Sequence, residues 1–503
     1  MSKNKELLNY IYQQRWCSFK SEIETNSIKK IDFFDTEYNN NKKFFIIGNA
    51  EFTNHQPNKT FIMPLAKGAI KNEPTVKYKK FITYDATKSN DYWSSLMQEL
   101  TIDKGLTIAN GKYQLIYQSW DNFEYITNHL QDKSTPLNVE QSNSTILVGN
   151  KEIAFKQQRI IEFSSFVNPE VEMNYNLLKV GFSAIPKTYG HLSLLNTSGE
   201  SAFVGIVQEF IPNNGDLWEI CKTKLLSLLK KAYNDKKLLS QNGRIKSREY
   251  KDIKDLMTLL GKKTEKLMKA LKSFKGSPDI TPEKITTEYL SIYTSNIKKL
   301  IQETKENIKN NLSKLSPDMA LNIQNPILTN HIENFMLKNF GKIENRKDKG
   351  ILMRVHGDFH LGQAIQSLSG EIKFIDFAGE PHLSPEQRKT KHSYMYDIAG
   401  MYQSIGGYLP VVVAKRFAIT QDENGTETIN NEKLLWANNK LKPIISTMLK
   451  AFMASIKIDN EWLSIEIFRR NLYEINYEIA YRPQLLFIPV NNLKDMLIGT
   501  KYY

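Results

Sequence analysis

The stretch Arg354-Val355-His356-Gly357-Asp358-Phe359-His360-Leu361-Gly362-Gln363, followed by Asp376-Phe377-Ala378-Gly379-Glu380-Pro381, decides how the rest of the chain is read. An apolar run, Ile351 to Val355, reads as a strand that breaks at Gly357 and leaves Asp358 on a loop. A second run, Ile372 to Ile375, ends on Asp376, with Ser369-Gly370 between the two as a turn. The expectation is a hairpin with carboxylates at adjacent ends and an amide oxygen, Gln363, shortly after the first. That set suits phosphoryl transfer. Asp358 would orient and deprotonate an attacking hydroxyl, while Gln363 and Asp376 would hold Mg²⁺ on nucleotide phosphates, because Mg²⁺ takes hard oxygen donors. Either half of the motif alone is weak; both halves in this order, with a turn between two short strands, are specific.

His356-Gly357-Asp358-Phe359-His360 resembles the catalytic loop of protein-kinase-like small-molecule kinases, including aminoglycoside and choline kinases, and Asp376 matches the aspartate of their later Asp-Phe-Gly. Gln363 in place of Asn, together with Gly379-Glu380-Pro381, is similar to the maltokinases, which phosphorylate the anomeric hydroxyl of maltose with ATP. The resemblance implies an α+β, bilobal protein-kinase-like (aminoglycoside phosphotransferase-like) fold with an N-terminal cap subdomain. It implies ATP and Mg²⁺ as cofactors and maltose 1-phosphate as product, feeding α-glucan synthesis, with trehalose synthase as the usual partner. It places His356 and Asp397 as supports of the catalytic loop, and His360 and Glu380 beside the sugar. For Asp397 a helix N-cap role can coexist with that support.

Composition bounds the reading. At 503 residues and 58.2 kDa the chain should hold two or more subdomains. No apolar run is long enough for a membrane helix, and the opening Met1-Ser2-Lys3-Asn4-Lys5 leads into an amphipathic pattern rather than a signal core. Two cysteines, Cys17 and Cys221, are expected to be reduced in a cytoplasmic protein. The net charge of +14 invites a nucleic-acid partner. Yet the basic residues between Lys230 and Lys275 alternate with leucines at helical spacing and lack interleaved aromatics, so a solvated helix face is expected, with neither nucleic acid nor membrane as partner.

Three parts are expected: a cap over residues 1–120, a small lobe over 121–213 and a helical lobe over 214–503. Trp16, within Gln14-Arg15-Trp16, reads as a core anchor of the cap. In the small lobe, Ser142, Asn143, Ser144 and Thr145 precede a strand–turn–strand unit that ends at Lys156. Hydroxyls and backbone N–H groups of such a unit can cover phosphates while the lysine neutralises them. Asn168-Pro169 reads as a helix start, with Glu172 in its first turns and placed to pair with Lys156. The run Phe203 to Ile211, interrupted by Gln208-Glu209, reads as the last strand before the hinge. Backbone around Glu209 and Ile211 would face adenine.

The carboxy-terminal helix carries a second signal. Glu474, Glu478 and Arg482 recur every four residues and share one stripe, with Tyr473, Tyr477 and Tyr481 on the next, and Pro483 ends the helix. The same spacing suits a salt-bridged helix. The maltokinase resemblance makes the residues Tyr473, Glu474, Tyr477, Glu478 and Arg482 a sugar site. Departures from that family are Ala378 for Glu, Asn476 for Arg and Gln484-Leu485 for Asp-Trp, which bear on substrate choice. A kinase for another sugar or amino sugar, such as glucosamine, and a pseudokinase scaffold are the alternatives.

Overall fold

The computed structural model describes residues 5–54, 57–101, 105–120, 123–137, 143–238, 247–314, 331–380, 383–421 and 426–498. Ser142 and Pro381 lie outside the described residues. The chain divides into two compact units, residues 1–175 with 186–211, and residues 176–185 with 212–503. Both mix helix and strand, so the α+β expectation holds.

The first unit is built on two antiparallel sheets. In one, Ile28–Tyr38, Lys43–Phe52 and Lys59–Lys67 run side by side, followed by Phe81–Asp85 and Thr75–Tyr78. One of its faces carries Phe44, Ile46, Met63 and Leu65, which pack with Trp16, Phe19 and Ile11. Trp16 is thus the core anchor expected of it. The other sheet runs in the order Leu106–Ile108, Tyr113–Ser119, Thr188–Asn196, Ser201–Glu209, Ile153–Gln157, Ser144–Val148 and Ser134–Pro136. Alternate residues such as Ile146, Val148, Ile153 and Phe155 point into a shared core with Trp93 and Leu192, as the two-residue period of a strand requires. Arg159, almost fully buried, joins the two sheets. Its guanidinium donates to Asp85 Oδ2 (2.5 Å), Thr87 Oγ1 (2.9 Å) and Ser144 Oγ (2.8 Å).

The second unit is mainly helical. The helix Arg248–Lys272 buries Ile253, Leu256, Met257, Leu260, Leu267 and Leu271. Its lysines fall outside that buried set, which is the solvated face expected of this basic segment. Gly261 is where that helix meets the helix Asn431–Met453; a Cβ there would stand 2.0 Å from the Phe452 carbonyl oxygen. Helix Asn460–Tyr481 stops before Pro483, as expected. No helix among the described residues is long and apolar enough to cross a membrane. Cys17 and Cys221 are buried free thiols.

One expectation needs correction. The strand Ile351–Met353 pairs with Glu283–Lys284 and His392–Ser393, not with the run that ends on Asp376. The hairpin is instead Ala364–Ser367 against Ile372–Phe374. Its turn is closed by the Gly370 N–H on the Ser367 carbonyl, with Gly370 at φ +87°. Asp358 therefore precedes the hairpin on a loop, and Gln363 stands at its entrance.

Gly261→Ala should destabilise the second unit by about 1–3 kcal/mol, since the added methyl group meets backbone that cannot swing aside. A thermal midpoint unchanged within error would refute that close helix crossing.

Candidate active site

The site is built on the loop from His356 to Gln363 and the segment from Ile375 to Glu380. Two constraints hold them together. The side chain of His356 is buried, and its Nε2 lies 2.9 Å from the Ile375 carbonyl oxygen, so that nitrogen carries the proton. Burial lowers its pKa to about 4, which keeps the ring neutral at ordinary pH. The imidazole packs on the Phe377 and Phe359 rings, with centroids 4.5 and 5.3 Å away. At the second constraint, Gly357 (φ +87°) comes so close to Gly379 that a Cβ on Gly357 would sit 3.0 Å from the Gly379 Cα. Only glycine tolerates both that conformation and that approach.

Asp397 fixes the loop from behind. It lies in the first turn of the helix Met395–Gln403; the cap position belongs to Tyr394, so the N-cap alternative does not hold. Its carboxylate accepts the backbone N–H of His356 at 2.8 Å and of Gly357 at 3.0 Å. Burial pushes the carboxyl up to about 7, while the two N–H donors work in the opposite direction by favouring the ionised form. Gly400, one turn further along the same helix, lets the loop close down, since a Cβ there would lie 2.7 Å from the Phe359 carbonyl oxygen.

Asp358 itself is reached by two cationic or potentially cationic groups. His360 Nε2 is 3.6 Å from Oδ2, and Arg470 is 4.0 Å from Oδ1. Both distances exceed an ordinary hydrogen bond, so the carboxylate keeps lone pairs for an incoming hydroxyl. Burial alone would raise its pKa, but His360, Arg470 and His356 prevail and hold it well below the usual carboxylate range. His360 also caps the short turn Leu361–Gln363, its Nδ1 accepting the Gly362 N–H at 3.0 Å.

Asp376 follows the hairpin with φ +60°, a left-handed conformation that costs a non-glycine residue about 1 kcal/mol or more. The neighbouring Ile375 N–H donates to the Gln363 carbonyl at 3.0 Å, which brings Gln363 and Asp376 to adjoining backbone positions. A carboxylate and an amide as adjoining oxygen donors fit Mg²⁺, which keeps most of its shell for water and phosphate. Among the described residues there is no group of three or more His, Cys, Asp or Glu that could hold a metal by themselves.

On the helix Asn460–Tyr481 the expected stripe separates by depth. Glu474 and Glu478 are buried, whereas Tyr473 and Tyr477 are half-buried and Tyr481 is 70% exposed. Glu478 accepts the Tyr408 hydroxyl at 2.7 Å and Arg482 at 2.6 and 3.0 Å. Glu474 accepts Gln403 Nε2 at 2.8 Å and Arg470 Nε at 2.8 Å. Glu380, also buried, is bound by Arg470 Nη1. Asn476 turns away from this cluster, toward the Thr304 hydroxyl (2.9 Å) and the Asn307 amide (3.2 Å) of the helix Thr287–Asn311. Its departure from the maltokinase pattern is thus taken up in helix packing. Arg470 escaped the sequence reading, although the four-residue spacing of 474, 478 and 482 extends back to it.

The first unit carries the nucleotide candidates. Lys156 lies across the ladder from Thr145, and Gln157 across from Ser144, so the lysine and the hydroxyls are neighbours as expected. Asn168 starts the helix Pro169–Lys179, its Oδ1 accepting the Glu170 N–H at 2.9 Å. The expectation paired Lys156 with Glu172; the structure gives it an ion pair with Glu170, Nζ to Oε1 3.8 Å. Glu170 is buried while Glu172 is half-buried, because two residues along a helix turn the side chain through about 200°. Near the end of Ser201–Glu209, the Gln208 amide is engaged by Thr188 (3.0 Å), and the Glu209 N–H by the Lys187 carbonyl (2.7 Å).

No family model matches the chain. A glucosamine kinase of Streptacidiphilus jiangxiensis is 27% identical over 146 residues, which covers 29% of this chain and only 32% of that protein. Among solved structures, a glucosamine kinase (crystal form B) aligns over 91% of this chain and 92% of its own, at TM-score 0.56 and 14% identity. A glucosamine kinase in complex with glucosamine, ADP and inorganic phosphate aligns over 90% of this chain and 91% of its own, at TM-score 0.54 and 14% identity. At that identity the likeness shows the fold: this chain has the bilobal, kinase-like α+β architecture of those proteins.

Asp397→Asn should cost about 1–3 kcal/mol, because one of the two buried N–H groups then faces an amide NH₂ instead of an acceptor. A chemical-denaturation midpoint equal to wild type would refute the anchoring role. A second expectation concerns His392, half-buried, its pKa lowered to about 3 by desolvation and then by Arg469 and Arg354. Its folded-state pKa lies below the unfolded value, so its contribution to stability is complete above about pH 6.5 and is lost on acidification toward pH 3. Between pH 6.5 and 4, wild type should lose stability faster than His392→Gln by about 1.4 kcal/mol per pH unit. Equal slopes would show that His392 titrates normally.

Proposed function

We propose that this chain is an ATP-dependent kinase that phosphorylates a hydroxyl of a small sugar. The observation that supports it most is Asp358: an ionised carboxylate on a loop fixed by Asp397, its neighbours too distant to fill its lone pairs. A general base needs that state and that room. In this reading the sugar hydroxyl gives its proton to Asp358 as its oxygen bonds to the γ-phosphorus, and the bond to the ADP oxygen breaks. Asp376 and Gln363 would hold Mg²⁺, which neutralises phosphate charge when bound. Lys156, paired with Glu170, and Asn143, Ser144 and Thr145 would cover the phosphates. Backbone around Glu209 and Ile211 would face adenine. Tyr473, Tyr477 and the carboxylates Glu380, Glu474 and Glu478, with His360 and Arg482, would form the sugar side.

Two acceptors follow from different observations. The run His356 to Gln363 with Gly379-Glu380-Pro381 favours maltose, phosphorylated on its anomeric hydroxyl, with a trehalose synthase as partner. The curated relative and the two aligned structures favour glucosamine. A pseudokinase is disfavoured because Asp358, Gln363, Asp376 and Lys156 are all in place.

ATP consumption measured over maltose, glucose, glucosamine and trehalose should single out one acceptor. With maltose, reducing-sugar signal should fall in step with ADP release, since a 1-phosphate has no free reducing end. Asp358→Asn should lower turnover by about 10²–10⁴-fold while nucleotide binding persists. Near-normal turnover in that variant would remove Asp358 from the reaction, and no acceptor-dependent ATP consumption at all would remove the kinase reading.

A further inference from the structure

Arg470 stands where three carboxylates from three segments converge. Its Nε donates to Glu474 Oε1 at 2.8 Å, its Nη1 to Glu380 Oε1, and its Nη2 lies 4.0 Å from Asp358 Oδ1. The guanidinium is planar, so committing Nε and Nη1 to two glutamates fixes the direction of Nη2. The 4.0 Å gap to Asp358 is too long for a hydrogen bond. Arg470 therefore attracts the carboxylate without taking up the oxygen that a hydroxyl must reach.

One arginine meets three acids, and Gln403 supplies a neutral donor to the second oxygen of Glu474. The Tyr473 ring lies beside the same guanidinium, 5.3 Å from its carbon, and is partly accessible. A flat ring, two fixed glutamates and the base are thus registered on a single side chain.

We propose that Arg470 is a positioning residue for the acceptor sugar, setting the distance between the sugar-side groups Glu380, Glu474 and Tyr473 and the base Asp358. The inference rests on the kinase reading above. Without the fork, Glu380 and Glu474 lose their shared partner and the acceptor hydroxyl moves relative to Asp358; a displacement of about 1 Å can cost about 10²-fold in rate.

The test uses Arg470→Gln and Arg470→Lys, assayed with the acceptor that wild type prefers. Arg470→Gln should lower kcat by about 10²-fold and raise the KM for sugar, with the KM for ATP held within about twofold. Arg470→Lys keeps the charge but not the fork, so it should recover part of kcat while the KM for sugar stays high. Should Arg470→Gln fail to fold, Arg470→Lys decides alone. A thermal midpoint lowered in either folded variant, with kcat per active site and KM for sugar unchanged, would overturn the proposal and leave Arg470 as packing. Wild type whose ATP consumption no sugar increases would instead bring down the kinase reading, and this inference with it.

Discussion

The second unit is organised around one buried carboxylate, Asp397, and the two backbone N–H groups it accepts from His356 and Gly357. Everything of chemical interest in that unit is referred to these bonds. They set the backbone of the loop on which Asp358 is carried. The same loop holds the Ile375 carbonyl through His356, which in turn fixes where Asp376 begins. Gly357 and Gly400 are then needed because a Cβ at either would press on a neighbouring backbone segment. A carboxylate suits position 397 because it offers two acceptor oxygens to two donors and gains from each, whereas an amide would offer one.

Around that frame, charge is distributed by depth. Asp397 is pushed up by burial and accepts two backbone N–H groups, while Asp358 is held down by neighbours that stop short of bonding it. Two aspartates far apart in sequence but joined to one loop thus come to opposite electrostatic states. Their environments, and not their intrinsic acidity, divide the roles. The helix Asn460–Tyr481 extends the same logic, burying Glu474 and Glu478 under arginines while leaving tyrosine rings accessible.

What was legible in the sequence was what short-range physics dictates. Asn168-Pro169 announces a helix start and Pro483 a stop, because capping and a missing N–H act within a turn. The lysine-rich helix Arg248–Lys272 could be read from its apolar period, and Trp16 from its size and setting. Pairings at a distance were less legible. The run Ile351–Met353 is apolar enough for any strand partner, and the short Ala364–Ser367 has no alternation to advertise it; only the turn at Gly370 selects the true hairpin. Glu170 and Glu172 are both acids at one helix start, and the side facing Lys156 depends on the helix's rotation against the sheet. Arg470 had the right spacing but no chemistry of its own until Glu380 arrived from elsewhere in the chain.

The left-handed backbone of Asp376 bears on how such a chain can change over time. Glycine would occupy that conformation without strain, so selection for stability alone pulls the position away from aspartate. The aspartate is held there against that pull by whatever its carboxylate engages. On the kinase reading proposed above, lineages released from that demand should drift toward glycine or asparagine at this position early, gaining robustness as they fall silent, which makes residue 376 a marker for separating working members from retired ones.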